Sequence, residues 1–83
     1  MRYELSQHAR DVMLERGIAA SWLEAVLEHP EVIEPDKADA TLEHRLGRIP
    51  EFENRVLRVV AKMKSRPVVI VTIYFDRAMR GKL

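Results

Sequence analysis

Two alternating runs separated by a short polar turn, Arg55 to Met63 and Val68 to Phe75, constrain this chain more than anything else in it. Successive side chains of a strand point to opposite faces, so residues two apart share a face. Leu57, Val59, Ala61 and Met63 share one face of the first run, and Val56, Arg58, Val60 and Lys62 share the other. In the second run Val69, Val71, Ile73 and Phe75 fall together, opposite Val68, Ile70, Thr72 and Tyr74. The turn Lys64-Ser65-Arg66-Pro67 is too polar to bury. A proline just ahead of a strand keeps its missing N–H out of the ladder. The pair predicts a hairpin with one apolar face under a covering layer. Its other face is mixed and carries Arg58, Lys62, Thr72 and Tyr74.

The cover lies upstream. Arg2 to Leu5 reads as a short edge strand or an irregular lead-in. Ser6 suits a helix N-cap, since its hydroxyl accepts from the first free backbone N–H groups. Leu5, Ala9, Val12, Met13 and Arg16 recur at helical spacing, and Gly17 ends that helix where a positive φ is needed. Ser21 with Glu24 reads as a capping box for a second helix to about Glu28, striped by Trp22, Leu23, Val26 and Leu27. Pro30 stops it. The following loop holds a brief strand candidate at Val32-Ile33. Thr41 to Arg48 alternates as a strand, with Leu42, His44 and Leu46 inward and Thr41, Glu43 and Arg45 outward. Gly47 marks a bulge or turn in it. The expected fold is α+β, a single domain over residues 1–83: an N-terminal αα-hairpin packed on one face of a small, mainly antiparallel sheet of three or four strands.

Size limits what such a fold can do. A domain of 83 residues buries only about 60–65% of the surface its unfolded chain exposes. An active site is therefore expected in a shallow groove or on an open sheet face. The absence of cysteine excludes disulfides and thiolate metal sites. No Gly-rich phosphate loop, nucleophile elbow, HExxH spacing or paired-carboxylate motif is present, so no cofactor and no metal is expected. The polar start MRYELSQHAR and the shortness of the apolar runs predict a cytoplasmic protein with no membrane partner. Charge is divided along the chain. Residues 1–42 carry four Lys/Arg against nine Asp/Glu, and residues 43–83 carry ten against four. A basic second half suits a polyanion such as RNA, or simply neutralises the acidic half.

Four stretches carry a resemblance: SQHARDVMLERGI, the LEHP after the second helix, RVLRVV, and VIVTIYF. With them the chain resembles a bacterial family of domains of unknown function (4258). The order of parts also resembles the BrnT-type toxins of the RelE/ParE superfamily. Glu15-Arg16-Gly17-Ile18 matches their helix end, Arg45 to Gly47 resembles an Arg- and Gly-bearing strand, and Phe75 to Arg80 a terminal strand followed by basic residues. The resemblance implies the toxin of a type II toxin–antitoxin pair, an endoribonuclease that cuts mRNA without a metal. Its implied partners are an antitoxin protein, RNA and a second copy forming a homodimer.

Such cleavage uses the neighbouring 2′-OH as nucleophile. A protein group takes its proton, another protonates the leaving oxygen, and cations stabilise the extra charge on phosphorus. Arg58, Lys62 and Tyr74 share the mixed face and form the expected catalytic set: Arg58 clamps phosphate, Lys62 stabilises charge, and Tyr74 serves acid–base chemistry or base stacking. Arg45, Arg77 and Arg80 are expected to bind RNA. His8 and His44 are additional candidates, each with an ordinary structural role as the alternative. His29 suits a helix C-terminus. The competing expectation is a non-catalytic interaction module of the same fold that binds a partner peptide along an exposed strand edge. A DNA-binding module finds no basic recognition helix to support it.

Overall fold

A computed structural model describes all 83 residues. The chain forms two α-helices and a five-stranded mixed sheet. Strand β1 spans Tyr3–Leu5 and is followed by α1, Gln7–Arg16, and α2, Ala20–Glu28. Then come β2 (Val32–Pro35), β3 (Glu43–Ile49), a 3-10 turn at Pro50–Phe52, β4 (Arg55–Lys62), β5 (Val68–Phe75) and a second 3-10 turn at Arg77–Met79. The sheet order is β1-β5-β4-β3-β2. Strands β2 to β5 pair antiparallel, and β1 lies parallel to β5.

The α+β class is as expected, but the sheet is larger and the helices sit differently. Both marginal segments, Tyr3–Leu5 and Val32–Pro35, become edge strands because β5 and β3, respectively, offer them free backbone groups. The helices do not pack as a hairpin. Helix α1 lies against β5 and β1, and α2 lies against β4 and β3. Each apolar stripe is buried by strands, which offer a wider surface than a neighbouring helix.

Local signals set the ends of α1. Ser6 Oγ accepts from the Ala9 N–H at 3.0 Å, and Gly17 takes φ 65° while its N–H bonds Met13 O. Helix α2 begins two residues too early for the Ser21 capping box. Its N-cap is Ala19, with no side-chain bond, so Ser21 and Glu24 lie inside the helix. Glu24 instead accepts from the Tyr3 hydroxyl at 2.7 Å. Burial, with Glu24 adding to it, pushes the Tyr3 phenol up to about 12.

The main core lies between the helices and one sheet face. It holds Ala9, Leu23, Val26 and Leu27 from the helices and Leu57, Val59, Ala61, Val68, Ile70 and Ile73 from the central strands. The inward set on β4 is the one its alternation predicts. Strand β5 breaks its alternation. Val60 pairs with Thr72 and Ala61 with Ile70, which leaves Val71 as an extra residue in a bulge. Ser6 Oγ donates to Val71 O at 2.8 Å there, where β1 ends and the chain turns into α1. Hence Val68 and Ile70 are buried on the same side as Ile73, against the simple period-two expectation.

Strand β3 also reverses its expected faces. Gly47 pairs with Leu57 and Arg45 with Val59, so Gly47 and Arg45 lie toward the helices. Leu46 and His44 pair with Arg58 and Val60 and lie on the far face. Gly47 is neither bulge nor turn. A Cβ at Gly47 would stand 3.3 Å from Val26 Cγ2, so glycine lets α2 approach the sheet closely.

Candidate functional site on the far sheet face and the edge of β5

The sheet face away from the helices carries a connected set of charged groups. Arg58 pairs across to Leu46 on one side and Tyr74 on the other. Its Nε donates to Asp76 Oδ2 at 2.9 Å, and its Nη2 lies 2.8 Å from the same oxygen. Its Nη1 donates to Glu34 Oε1 at 3.1 Å and to His44 Nδ1 at 2.8 Å. His44 Nε2 lies 2.7 Å from Asp36 Oδ1. A guanidinium only donates, so His44 Nδ1 accepts and its Nε2–H donates to Asp36. The chain of bonds thus runs from Asp36 through His44 and Arg58 to Asp76.

This arrangement settles the local charge balance. Burial pulls the Arg58 guanidinium down and is the largest single influence, but the bonds to Asp76 and Glu34 outweigh it, and the group stands above its ordinary value. The His44 bond is the main cause holding Asp36 below the usual carboxylate range, helped by N–H groups of Asp39 and Ala38. Beneath these polar groups Leu46, Val56 and Val60 are buried, forming a small apolar patch apart from the main core. The long stem of an arginine covers apolar surface in this way.

A groove of about 890 Å³ lies beside this network, along the edge of β5. Strand β1 covers only Val68 to Ile70, so β5 has no strand neighbour on that side beyond the bulge. Helix α1 contributes His8 and Arg16, β4 contributes Arg55, β5 contributes Tyr74, and the C-terminal segment contributes Arg77 and Arg80. Glu15 and Asp76 are the acidic groups of its lining. His8 Nε2 lies 3.0 Å from Thr72 Oγ1, two residues before Tyr74. At one end Phe52 stacks on Trp22 with ring centroids 5.5 Å apart, and the Arg55 guanidinium sits 4.6 Å over the Phe52 ring. The groove therefore combines four guanidinium groups with an imidazole, a phenol and aromatic walls.

The expected site residues divide into three groups. Tyr74 borders both the groove and the network, while Arg77, Arg80 and His8 line the groove. Arg58 and His44 belong to the network, with few donors left for a ligand. Arg45 and Lys62 stand apart. Arg45 lies on the helix side, where Nη1 donates to Leu27 O at 2.6 Å and Nε to Glu43 at 2.7 Å. It closes the C-terminal end of α2 and holds no free fork for phosphate. Lys62 is exposed at the far end of β4, four residues and about 13 Å of strand from Arg58, and its charge acts on Asp39. Arg16 and Arg55 were not among the expected residues. The Glu15-Arg16-Gly17-Ile18 helix end was the only signal for Arg16, and nothing local marks Arg55.

The family model for a domain of unknown function (DUF4258) matches residues 5–75. The chain belongs to this family. No curated protein matches the chain, and no solved structure matches it. The DUF4258 match takes in His8, His44, Arg58 and Tyr74 and ends before Arg77 and Arg80. The groove is thus built partly from the family domain and partly from the segment that follows it. No helix of the chain is long and apolar enough to cross a membrane.

Proposed function

We propose that the β5 groove binds single-stranded RNA and cleaves it, and that the protein is the toxin of a toxin–antitoxin pair. The observation that carries this reading is the gathering of His8, Tyr74 and four arginines in one open groove. The BrnT-like order of parts supports the toxin role.

The chemistry needs only side chains. Arg77 and Arg80 contact non-bridging phosphate oxygens, and Arg16 and Arg55 follow the backbone on either side. His8 takes the proton of the 2′-OH as its oxygen attacks phosphorus. The bond to the 5′-oxygen breaks, and Tyr74 gives that oxygen its proton. The products are a 2′,3′-cyclic phosphate and a 5′-hydroxyl. Acid–base groups of this kind typically supply about 10²–10⁴-fold in rate.

The test is incubation of purified protein with a single-stranded RNA in the presence of a metal chelator, followed by end-group mapping. Cyclic phosphate ends, lost by at least about a hundredfold in His8→Ala, support the reading. Intact RNA at every protein concentration sinks it. That outcome favours the second reading, a non-catalytic interaction module, for which the uncovered edge of β5 is the supporting observation. Strand addition would then use the same edge.

A further inference from the structure

We infer that Arg58 is a positioning residue for the basic C-terminal segment and acts through Asp76, without touching RNA itself. The inference rests on the groove being the RNA site proposed above.

Asp76 is the joint. Its Oδ2 receives Arg58 Nε at 2.9 Å and Nη2 at 2.8 Å. Its Oδ1 receives the Ala78 N–H at 3.0 Å. One carboxylate therefore ties the middle of the sheet to the first turn of the Arg77–Met79 3-10 helix. Its backbone is fixed as well, since the Asp76 N–H donates to Val56 O at 2.9 Å. A single 3-10 turn has little stability of its own, because nucleation fixes several dihedrals for one hydrogen bond. Its place depends on that cap.

The consequences fall on the groove. Arg77 and Arg80 leave this turn toward the proposed phosphate path. Arg58 cannot clamp phosphate while it holds Asp76. A phosphate clamp presents a free planar fork of N–H donors. The Arg58 fork is taken by Asp76, Glu34 and His44, and its side chain is only 12% exposed. It is also absent from the groove lining. Loss of Arg58 should thus act on RNA through the placement of two other arginines.

The experiment measures two things on the full chain: amide exchange of Ala78 and Arg80, and binding of a labelled single-stranded RNA across a salt series. Arg58→Gln is compared with Asp76→Asn, with Arg77→Gln/Arg80→Gln, and with the triple variant that adds Arg58→Gln to that pair. Exchange at Ala78 and Arg80 is expected to quicken roughly tenfold in Arg58→Gln, as for loss of one charge-assisted bond, with β3 and β4 amides unchanged. Arg58→Lys, which keeps one ionic contact to Asp76, should fall between. Binding should drop in Arg58→Gln, and adding that change to Arg77→Gln/Arg80→Gln should cost nothing more. Additive weakening, with a further fall of about 0.7 in the salt slope, would mean direct phosphate contact and overturn the inference. Unchanged exchange in a folded Arg58→Gln would overturn it too. If Arg58→Gln does not fold, amide exchange at Ala78 and Arg80 in Asp76→Asn tests the same bond from its other side. Failure of the wild type to bind RNA would remove the groove reading alone, because the exchange result still decides whether Arg58 places the segment.

Discussion

Arg58 Nη1 lies 2.8 Å from His44 Nδ1, a contact in which the guanidinium donates and the imidazole accepts. The proton of His44 therefore sits on Nε2 and is shared with Asp36. Nitrogen-15 chemical shifts of the ring at neutral pH should show the Nε2–H tautomer. A proton on Nδ1 would contradict the bond network. His44→Ala removes the link and leaves Asp36 Oδ1 without its imidazole partner. A lower urea midpoint than that of the wild type is expected.

Asp36 gives the network a pH dependence. Its carboxyl titrates below the usual range in the folded chain, chiefly through His44. The unfolded chain therefore binds the proton first as pH falls. The stabilisation is complete above the unfolded carboxylate range and is lost as pH drops through the lower folded value. Urea midpoints followed between about pH 2 and 6 should fall toward acid. The slope should be shallower in Asp36→Asn. An identical acid limb in the variant would show that Asp36 plays no part.

Arg45 separates a structural from a nucleic-acid role. Its Nη1 donates to Leu27 O at 2.6 Å on the helix side of the sheet. Arg45→Met keeps the stem and removes the charged donor, and should cost about 1.5–3 kcal/mol. Binding of single-stranded RNA by the folded variant should be unchanged within error. A fall in its salt slope would restore Arg45 to the phosphate path.

Gly47 sets the distance between α2 and the sheet. A Cβ there already meets Val26 at 3.3 Å, and larger side chains must displace the helix. Gly47→Val should destabilise by about 1–3 kcal/mol through overpacking, and Gly47→Ala by less. Backbone amide shifts should change along α2. Equal stability of the valine variant would mean that the helix has room to spare.

Much of the fold was legible in short stretches. Ser6 and Gly17 bound α1 as their chemistry predicts, because capping depends only on neighbouring backbone groups. Leu57, Val59 and Ala61 face the core as their alternation predicts. Strand β3 misled because both of its faces are mixed, and the register against β4, not hydrophobicity, turns Arg45 inward and His44 outward. The groove was half visible. Tyr74, Arg77, Arg80 and His8 could be named from their residue types, but Arg55 joins them only because β4 begins beside the Arg77–Met79 turn, on the groove that α1 also lines.

The sequence by itself determined the division of charge, the ends of α1 and the β4–β5 hairpin, the last two because they follow from periods of two or 3.6 and from contacts a few residues apart. The tertiary structure alone decided three things: the parallel pairing of β1 with β5, the bulge at Val71, and the engagement of Arg58 by Asp76, Glu34 and His44. Each joins groups far apart in the chain. Their meeting depends on how the whole sheet closes, and no local pattern carries that information.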